Sequence, residues 1–522
     1  MSREVSAAEA KSLIHDSAEI AFLDVREAGE FGEGHPLFAI PCPYSRLEAR
    51  IAALVPRRSV RMLLIDGGDG DALRAAAALE ALGYRDVMTI AGGTPGWAAA
   101  GFTLFQGVNV PSKTLGELAE HAWHPETIDA PTLKCWQDEG RSFRFFDCRP
   151  PAEYAKMRVP GAICLPNGEL AHRFPAAVPQ GDAPVVVTCA GRTRSIVGAL
   201  GLRLAGVAPP VYALENGTQG WQLAGFTLER GNTAAPYPQL EAGAAAATRA
   251  RAEAVMAQHG LDTINRAGIE AWRADETRTT YLFDLRTPEE IAADPAPAFR
   301  AALSGQLVQA TDQWVGVRHA RLVLLDDLGL RGAIAAFWLR QLGYEVAVAR
   351  LGDDALRKLT APEEAVALPR VSSVPAEEAL RGSGTIVDLR GSAAYREAHV
   401  AGARWGIRPR LGRLGLDETK TVFLVGDDEA AALAAKELGD LGFAAVRVVE
   451  GGHAALVAAG ASLESGDEVP SVAEAIDFLF FVHDRHDGNL ESSRRYLAWE
   501  QGLIAQLDAD ERAAFRLDEK GL

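Results

Sequence analysis

The chain has 522 residues, with 53 Lys or Arg against 70 Asp or Glu, for a net charge of −17. At roughly 100–200 residues per domain a single compact domain is excluded. A field of this sign makes phosphate backbones and anionic lipid surfaces poor partners. With 48 % hydrophobic and 24 % charged residues, the composition is that of a folded chain rather than a disordered one.

The first residues, MSREVSAAEA, lack the basic start and apolar run of a secretory signal. No later stretch approaches the roughly 18–20 uncharged apolar residues of a membrane span. The reading is a cytoplasmic protein with neither nucleic acid nor membrane as partner.

Taken along the chain, one unit recurs four times. Each copy opens on a helix-start signal: VSAAEAKSLI, IDAPTLKCW, INRAGIEAW and VSSVPAEEAL. Ser, Asp or Asn ahead of helix formers fits an N-cap. An apolar run ending in Asp-x-Arg follows: AFLDVRE at Asp24, FFDCRP at Asp147, LFDLRT at Asp284 and TIVDLRG at Asp388. A second apolar run comes next (RMLLID, PVVVTC, RLVLLD, TVFLVG), short and continuous as in strands buried on both faces. An Ala/Leu-rich helix and another strand close each copy. This rhythm predicts parallel βαβ crossovers and hence an α/β fold, with a small, mostly parallel sheet flanked by helices in each of four domains. The expected boundaries are 1–108, 122–232, 260–356 and 366–464. Residues 233–259 are read as a linker ending in an Ala-rich helix, and residues 465–522 as a helical extension that packs on a repeat or on a second subunit.

The five cysteines, Cys42, Cys135, Cys148, Cys164 and Cys189, include no CxxC pair, which argues against a zinc or dithiol site. Only the second copy carries a nucleophile at the end of its second run, in VVVTCAGRTRSIVGALGLRLAG; the other copies offer Asp66, Asp326 and Gly426 there. Strand residues Val185 to Thr188 should deliver Cys189 to a loop, with a helix starting near Ser195. This is the carboxyl end of a parallel strand, where open α/β sheets bind ligands. Loop amides form an anion nest, the helix start adds partial positive charge, and Arg192 and Arg194 add whole charges. From 183 to 214 there are three arginines, Arg192, Arg194 and Arg203, and no acidic residue. A pocket that lowers a thiol pKa and draws in anions is expected. Cys42, Cys135, Cys148 and Cys164 read as packing residues, Trp97 and Trp221 as core anchors, and the HDRHD stretch from His483 to Asp487 as a weak metal signal.

These residues resemble the rhodanese-like domain of sulfurtransferases. The resemblance rests on the repeated Asp-x-Arg, PGAICLP from Pro160 to Pro166, the CAGRTRS loop and NGTQGW ending at Trp221. It is fullest in the second unit and weakest in the third, and together the four units span nearly all of the chain before residue 464. It implies a persulfide carried on Cys189, held by the amides of Ala190, Gly191, Arg192, Thr193, Arg194 and Ser195. Asp147 and Arg149 match the motif that braces the loop. The motif persists in units lacking the cysteine, so its role is architectural. Gly191 and Arg192 depart from loops with glycine at the third place after the cysteine. Met157 and Arg158 stand where family members often carry a Gly-His pair, and Arg158 is either a further cation near the site or a surface substitution.

The implied reaction takes sulfane sulfur from a small anionic donor, thiosulfate or glutathione persulfide, and passes it to a thiol or cyanide. It needs no metal or organic cofactor. Two alternatives stand beside it. One is a persulfide sensor or protein-interaction scaffold, because three units lack the nucleophile. The other is a cysteine phosphatase, although the four residues between Cys189 and Arg194 make the loop one residue shorter than that chemistry uses. A second copy of the chain is a further candidate partner.

Overall fold

The computed structural model describes residues 3–178, 181–352, 354–361, 367–466, 468–479 and 489–517. The HDRHD stretch lies outside them. The chain forms two compact units. One holds residues 1–14, 20–108 and 364–483; the other holds 15–19, 109–363 and 484–522.

Within the first unit, strands Arg3–Val5, Asp86–Ile90, Arg61–Ile65, Ile20–Asp24 and Ile40–Pro41 lie side by side in that order, all parallel. A second sheet repeats the pattern with Ser373–Val374, Val446–Val449, Val422–Val425, Thr385–Asp388 and Arg404–Trp405. In the second unit the order recurs twice. Glu126–Ile128, Val211–Leu214, Val185–Thr188, Arg144–Asp147 and Ile163–Cys164 make one parallel sheet. Asp262–Thr263, Glu345–Arg350, Arg321–Asp326, Thr280–Asp284 and Arg300–Ala301 make the other. The predicted α/β class and parallel sheets are therefore present.

Local chemistry explains the regularity. Asp129 accepts from the Thr132 amide at 2.7 Å and Asn265 from the Gly268 amide at 3.0 Å, as N-caps do. The central strands Ile20–Asp24 and Val185–Thr188 are buried along their whole length, which is why they read as unbroken apolar runs. Trp97 and Trp221 are each 1 % exposed and donate their indole N–H to the carbonyl six residues on, Thr103 at 3.1 Å and Thr227 at 3.0 Å.

Asp-x-Arg has one geometry in all four copies. Arg26, Arg149, Arg286 and Arg390 each fork onto the aspartate two residues back. Each then donates to the carbonyl eight residues on, at Gly34, Met157, Asp294 and Ala398. A bidentate pair whose Nη2 also reaches the carbonyl eight residues on fixes the turn leaving the strand. The geometry is the same in the copies that lack a cysteine at the end of the next strand.

In the second unit's first sheet, the chain leaves Arg144–Asp147 for the sheet edge at Ile163–Cys164 and returns to Val185–Thr188 on the other side. The carboxyl ends of those two central strands therefore flank the point where strand order reverses, and the crevice there is where open parallel sheets place ligands.

Candidate active site

Val185–Thr188 ends one residue before Cys189, and the helix that follows is Thr193–Leu204. It starts two residues earlier than expected, which tightens the loop. Cys189 is 1 % exposed. Its Sγ lies 3.8 Å from the Arg192 carbonyl oxygen and 3.6 Å from Ser195 Oγ. The thiol thus turns toward the loop and helix start, not into the sheet.

The loop is held from both sides. The Thr218 and Gln219 amides donate to the carbonyls of Cys189 and Ala190 at 2.9 and 3.1 Å. Asn167 Nδ2 donates to the Arg194 carbonyl at 2.8 Å, and Ser195 Oγ to the Arg192 carbonyl at 2.8 Å. Gly217, at φ +52°, lets the neighbouring turn approach: a methyl group there would lie 2.2 Å from the Cys189 carbonyl oxygen. Gly116 plays the same part on the helix Val110–Trp123, where a methyl group would meet Thr193 Cγ2 at 2.6 Å.

The expected surplus of positive charge is corrected by carboxylates brought in from elsewhere in the chain. Arg192 pairs with Glu117 at 3.0 Å and with Glu120. Arg194 forks onto Glu153 at 2.6 and 2.9 Å. Burial works to lower the Arg194 guanidinium, and Glu153 more than offsets it, so the group stays above the ordinary arginine range. Arg158 turns to Glu229 at 2.6 Å and to the Tyr154 hydroxyl. Burial pushes Glu117 up to about 7 against the pull of Arg192. The local sequence holds no acid, but the folded site holds several.

Among the other thiols, Cys42, Cys148 and Cys164 are buried as expected, whereas Cys135 is exposed with its Sγ 3.2 Å from Glu139. Burial raises Cys148 well above the ordinary thiol range, which disfavours it as a resolving nucleophile.

Sequence reasoning missed the residues that cover the loop. The helix Leu490–Gln501 buries Ser492, Ser493, Tyr496, Leu497 and Glu500 on one stripe. Glu500 Oε1 accepts from Thr193 Oγ1 at 2.5 Å. Lys113 Nζ lies 5.5 Å from the Tyr496 ring centroid and 4.9 Å from that of Trp499, holding this helix against Val110–Trp123. The signal was present: Glu500 stands four residues after Tyr496, on the face that spacing assigns to the interior.

The corresponding loop of the first copy supplies an internal comparison. Asp66, at the position of Cys189, is buried and accepts from the Gly68, Gly70 and Ala72 amides at 2.9, 3.1 and 3.0 Å. Asp326, in the third copy, accepts from the Asp327 and Gly332 amides at 2.9 and 3.2 Å. A negative group at this strand end is met by main-chain donors.

A rhodanese-like domain family model matches residues 6–100 and 129–224. A crystal structure of thiosulfate sulfurtransferase from Pseudomonas aeruginosa is 37 % identical, covers 99 % of this chain and 100 % of its own, and superposes with a TM-score of 0.90. A rhodanese-like domain from Anabaena sp is 25 % identical over 20 % of this chain and 80 % of its own, with a TM-score of 0.19. The 3-mercaptopyruvate sulfotransferase structure from Escherichia coli is 16 % identical over 42 % of this chain and 99 % of its own, with a TM-score of 0.18. No curated protein matches. The chain belongs to the rhodanese-like family. Within that family it is an enzyme, a sulfurtransferase of the rhodanese type. Among the described residues no helix is long and apolar enough to cross a membrane.

Proposed function

We propose that Cys189 carries the transferred sulfur: it accepts a sulfane sulfur from thiosulfate or a low-molecular-weight persulfide and hands it to a thiol or cyanide. The observation that carries this reading is the Asp66 loop. It supports the view that this strand end cradles an anion with main-chain amides, and the second copy puts a thiol there. Amides from residues 190–195 then hold the persulfide. Asp147 and Arg149 act by fixing the strand end beside it. Thiosulfate is the donor named for the Pseudomonas aeruginosa relative.

The four sheets of one strand order support a reading of four rhodanese-like domains, of which the first, third and fourth lack the nucleophile and act as scaffold. The proposed extents remain 1–108, 122–232, 260–356 and 366–464, with 233–259 as linker and 465–522 as extension. The proposed location is the cytoplasm.

The chemistry is a two-step displacement. The Cys189 thiolate attacks the outer sulfur of the donor, whose remaining part leaves as sulfite or a thiolate. An acceptor thiolate or cyanide then attacks the outer sulfur of the persulfide and returns the electron pair to Cys189 Sγ. The Leu490–Gln501 helix lies over Gly191, two residues from the thiol. The test is intact mass after incubation with thiosulfate or glutathione persulfide. The wild type gains one sulfur on the Cys189 peptide, and Cys189→Ala gains none and loses transfer to cyanide. Full turnover by Cys189→Ala overturns the assignment. Release of phosphate from an aryl phosphate by the wild type, lost in the same variant, would favour the phosphatase instead.

A further inference from the structure

Glu500 is 2 % exposed and Gln219 is 5 % exposed. Glu500 Oε1 is held by the Thr193 hydroxyl. Glu500 Oε2 and both polar atoms of the Gln219 amide have no hydrogen-bond partner among the described residues. These groups converge over the loop. A methyl group placed on Gly191, two residues after Cys189, would lie 3.2 Å from Glu500 Oε2 and 3.4 Å from Gln219 Nε2 and Tyr496 Cε1. Unmatched buried polar atoms mark a place built for a partner.

The chemistry of that partner follows from what is unmatched. Glu500 Oε2 and Gln219 Oε1 are acceptors and call for N–H donors, while Gln219 Nε2 is a donor and serves an acceptor on the same molecule. The nearby cations are already engaged, Arg192 by Glu117 and Glu120 and Arg194 by Glu153. Arg192 also feels Glu500, so three carboxyl groups, Glu117, Glu120 and Glu500, share one guanidinium, and beside Glu500 Oε2 a cation is favoured over an anion.

We propose that Glu500, with Gln219, selects the thiol acceptor at Cys189 by its charge, favouring aminothiols whose ammonium reaches the carboxylate. This rests on Cys189 being the sulfur carrier. In the step itself the acceptor thiolate attacks the outer persulfide sulfur and forms a new S–S bond. The bond to Cys189 Sγ breaks, and its electron pair stays on Cys189 as thiolate. No oxidant or reductant is consumed. Glu500 is a specificity-determining residue and touches no reacting sulfur.

The test uses the full chain, loaded with sulfur on Cys189 and freed of donor. Single-turnover loss of that sulfur is followed with cysteamine, 2-mercaptoethanol and mercaptoacetate, each rate normalised to the thiolate present. The wild type prefers cysteamine to mercaptoacetate. Glu500→Gln, which keeps the shape and the bond to Thr193, lowers that preference about tenfold, a typical size for one lost polar selection. Gln219→Leu lowers it less, and Glu491→Gln, at an exposed position of the same helix, leaves it unchanged.

A second arm needs no persulfide. The rates at which Cys189 is modified by the 2-aminoethyl and 2-sulfonatoethyl methanethiosulfonates are compared by mass spectrometry of its peptide. The cationic reagent is favoured in the wild type, and Glu500→Gln narrows the gap. An unchanged ratio in both arms, or an equal acceleration of every reagent as expected of a mere cover, overturns the proposal. If the wild type takes up no sulfur, the carrier reading fails on its own, and the second arm still decides whether Glu500 selects by charge.

Discussion

At residue 217 the backbone of one turn comes so close to the Cys189 carbonyl that no side chain fits, and the turn is left-handed besides. Gly217→Ala must therefore push the loop outward and strain its own φ, at about 1–3 kcal/mol for the strain alone. The expected outcome is a sulfurtransferase kcat/KM at least tenfold lower with a modest fall in Tm, seen together in steady-state kinetics and thermal melts. Asp66 is the converse case. It satisfies three amides of its own loop in a copy with no nucleophile. Asp66→Ala should cost about 1–3 kcal/mol by leaving those donors unmatched, while sulfur transfer per folded molecule stays at the wild-type value. If Asp66→Ala were inactive but fully stable, the first copy would have a chemical role that a scaffold lacks.

Among the elements, the strands were legible and the partners of the loop were not. Period-free apolar runs such as VVVT and RMLLI announce strands buried on both faces, and Asp129 and Asn265 announce helix starts. All of these depend on neighbours within a few residues. The charge state of the loop depends on Glu117, Glu120, Glu153 and Glu500, which lie between 39 and 308 residues from Arg192 or Arg194 in sequence and meet them or their loop only in the fold. A local count of three arginines and no acids therefore left out the carboxylates that pair with two of them. The helix Val110–Trp123 makes this testable. Glu117 is held up to about 7 by burial, above the ordinary carboxylate value. A folded-state pKa above the unfolded one gives stability that is fully present below about 4.5 and is lost as pH rises through about 7. Wild type should therefore lose stability relative to Glu117→Gln between pH 5 and pH 8, by on the order of 1 kcal/mol. The difference between the two unfolding free energies, followed across that range, reports Glu117 together with its coupling to Arg192, Glu120 and Glu500.

On the scale of the whole molecule, the second unit is tied together by ions as well as by apolar contact. Arg331 is fully buried and pairs with Glu169 at 2.6 Å, Glu290 at 2.8 Å, Asp326 at 3.1 Å and Asp327 at 3.2 Å. Glu169 comes from the segment after the Ile163–Cys164 strand; the other three come from the segments around the Thr280–Asp284 and Arg321–Asp326 strands. One guanidinium thus joins the two sheets of this unit. In sequence Arg331 stands at a helix start like any solvated residue, and only the packing of the second copy on the third encloses it. Although burial favours the neutral form, Arg331 draws Glu290 down to about 2, while burial and Asp326 hold Asp327 up to about 6. Arg331→Met takes the guanidinium from Asp326 and Asp327 and leaves Glu169 and Glu290 to Arg173 alone, a loss of at most about 3–5 kcal/mol, the figure for a broken buried pair. The sign of its pH dependence follows. Without the guanidinium the folded-state pKa values of Glu290 and Asp327 rise, so keeping them ionised costs more, and that cost grows with pH. The deficit of Arg331→Met against wild type should therefore be largest near pH 8 and shrink as pH falls through about 6, read from denaturant unfolding at each pH. A deficit that stayed constant across the range would mean that lost packing around the Arg331 stem, and not the charge network, holds the two sheets together.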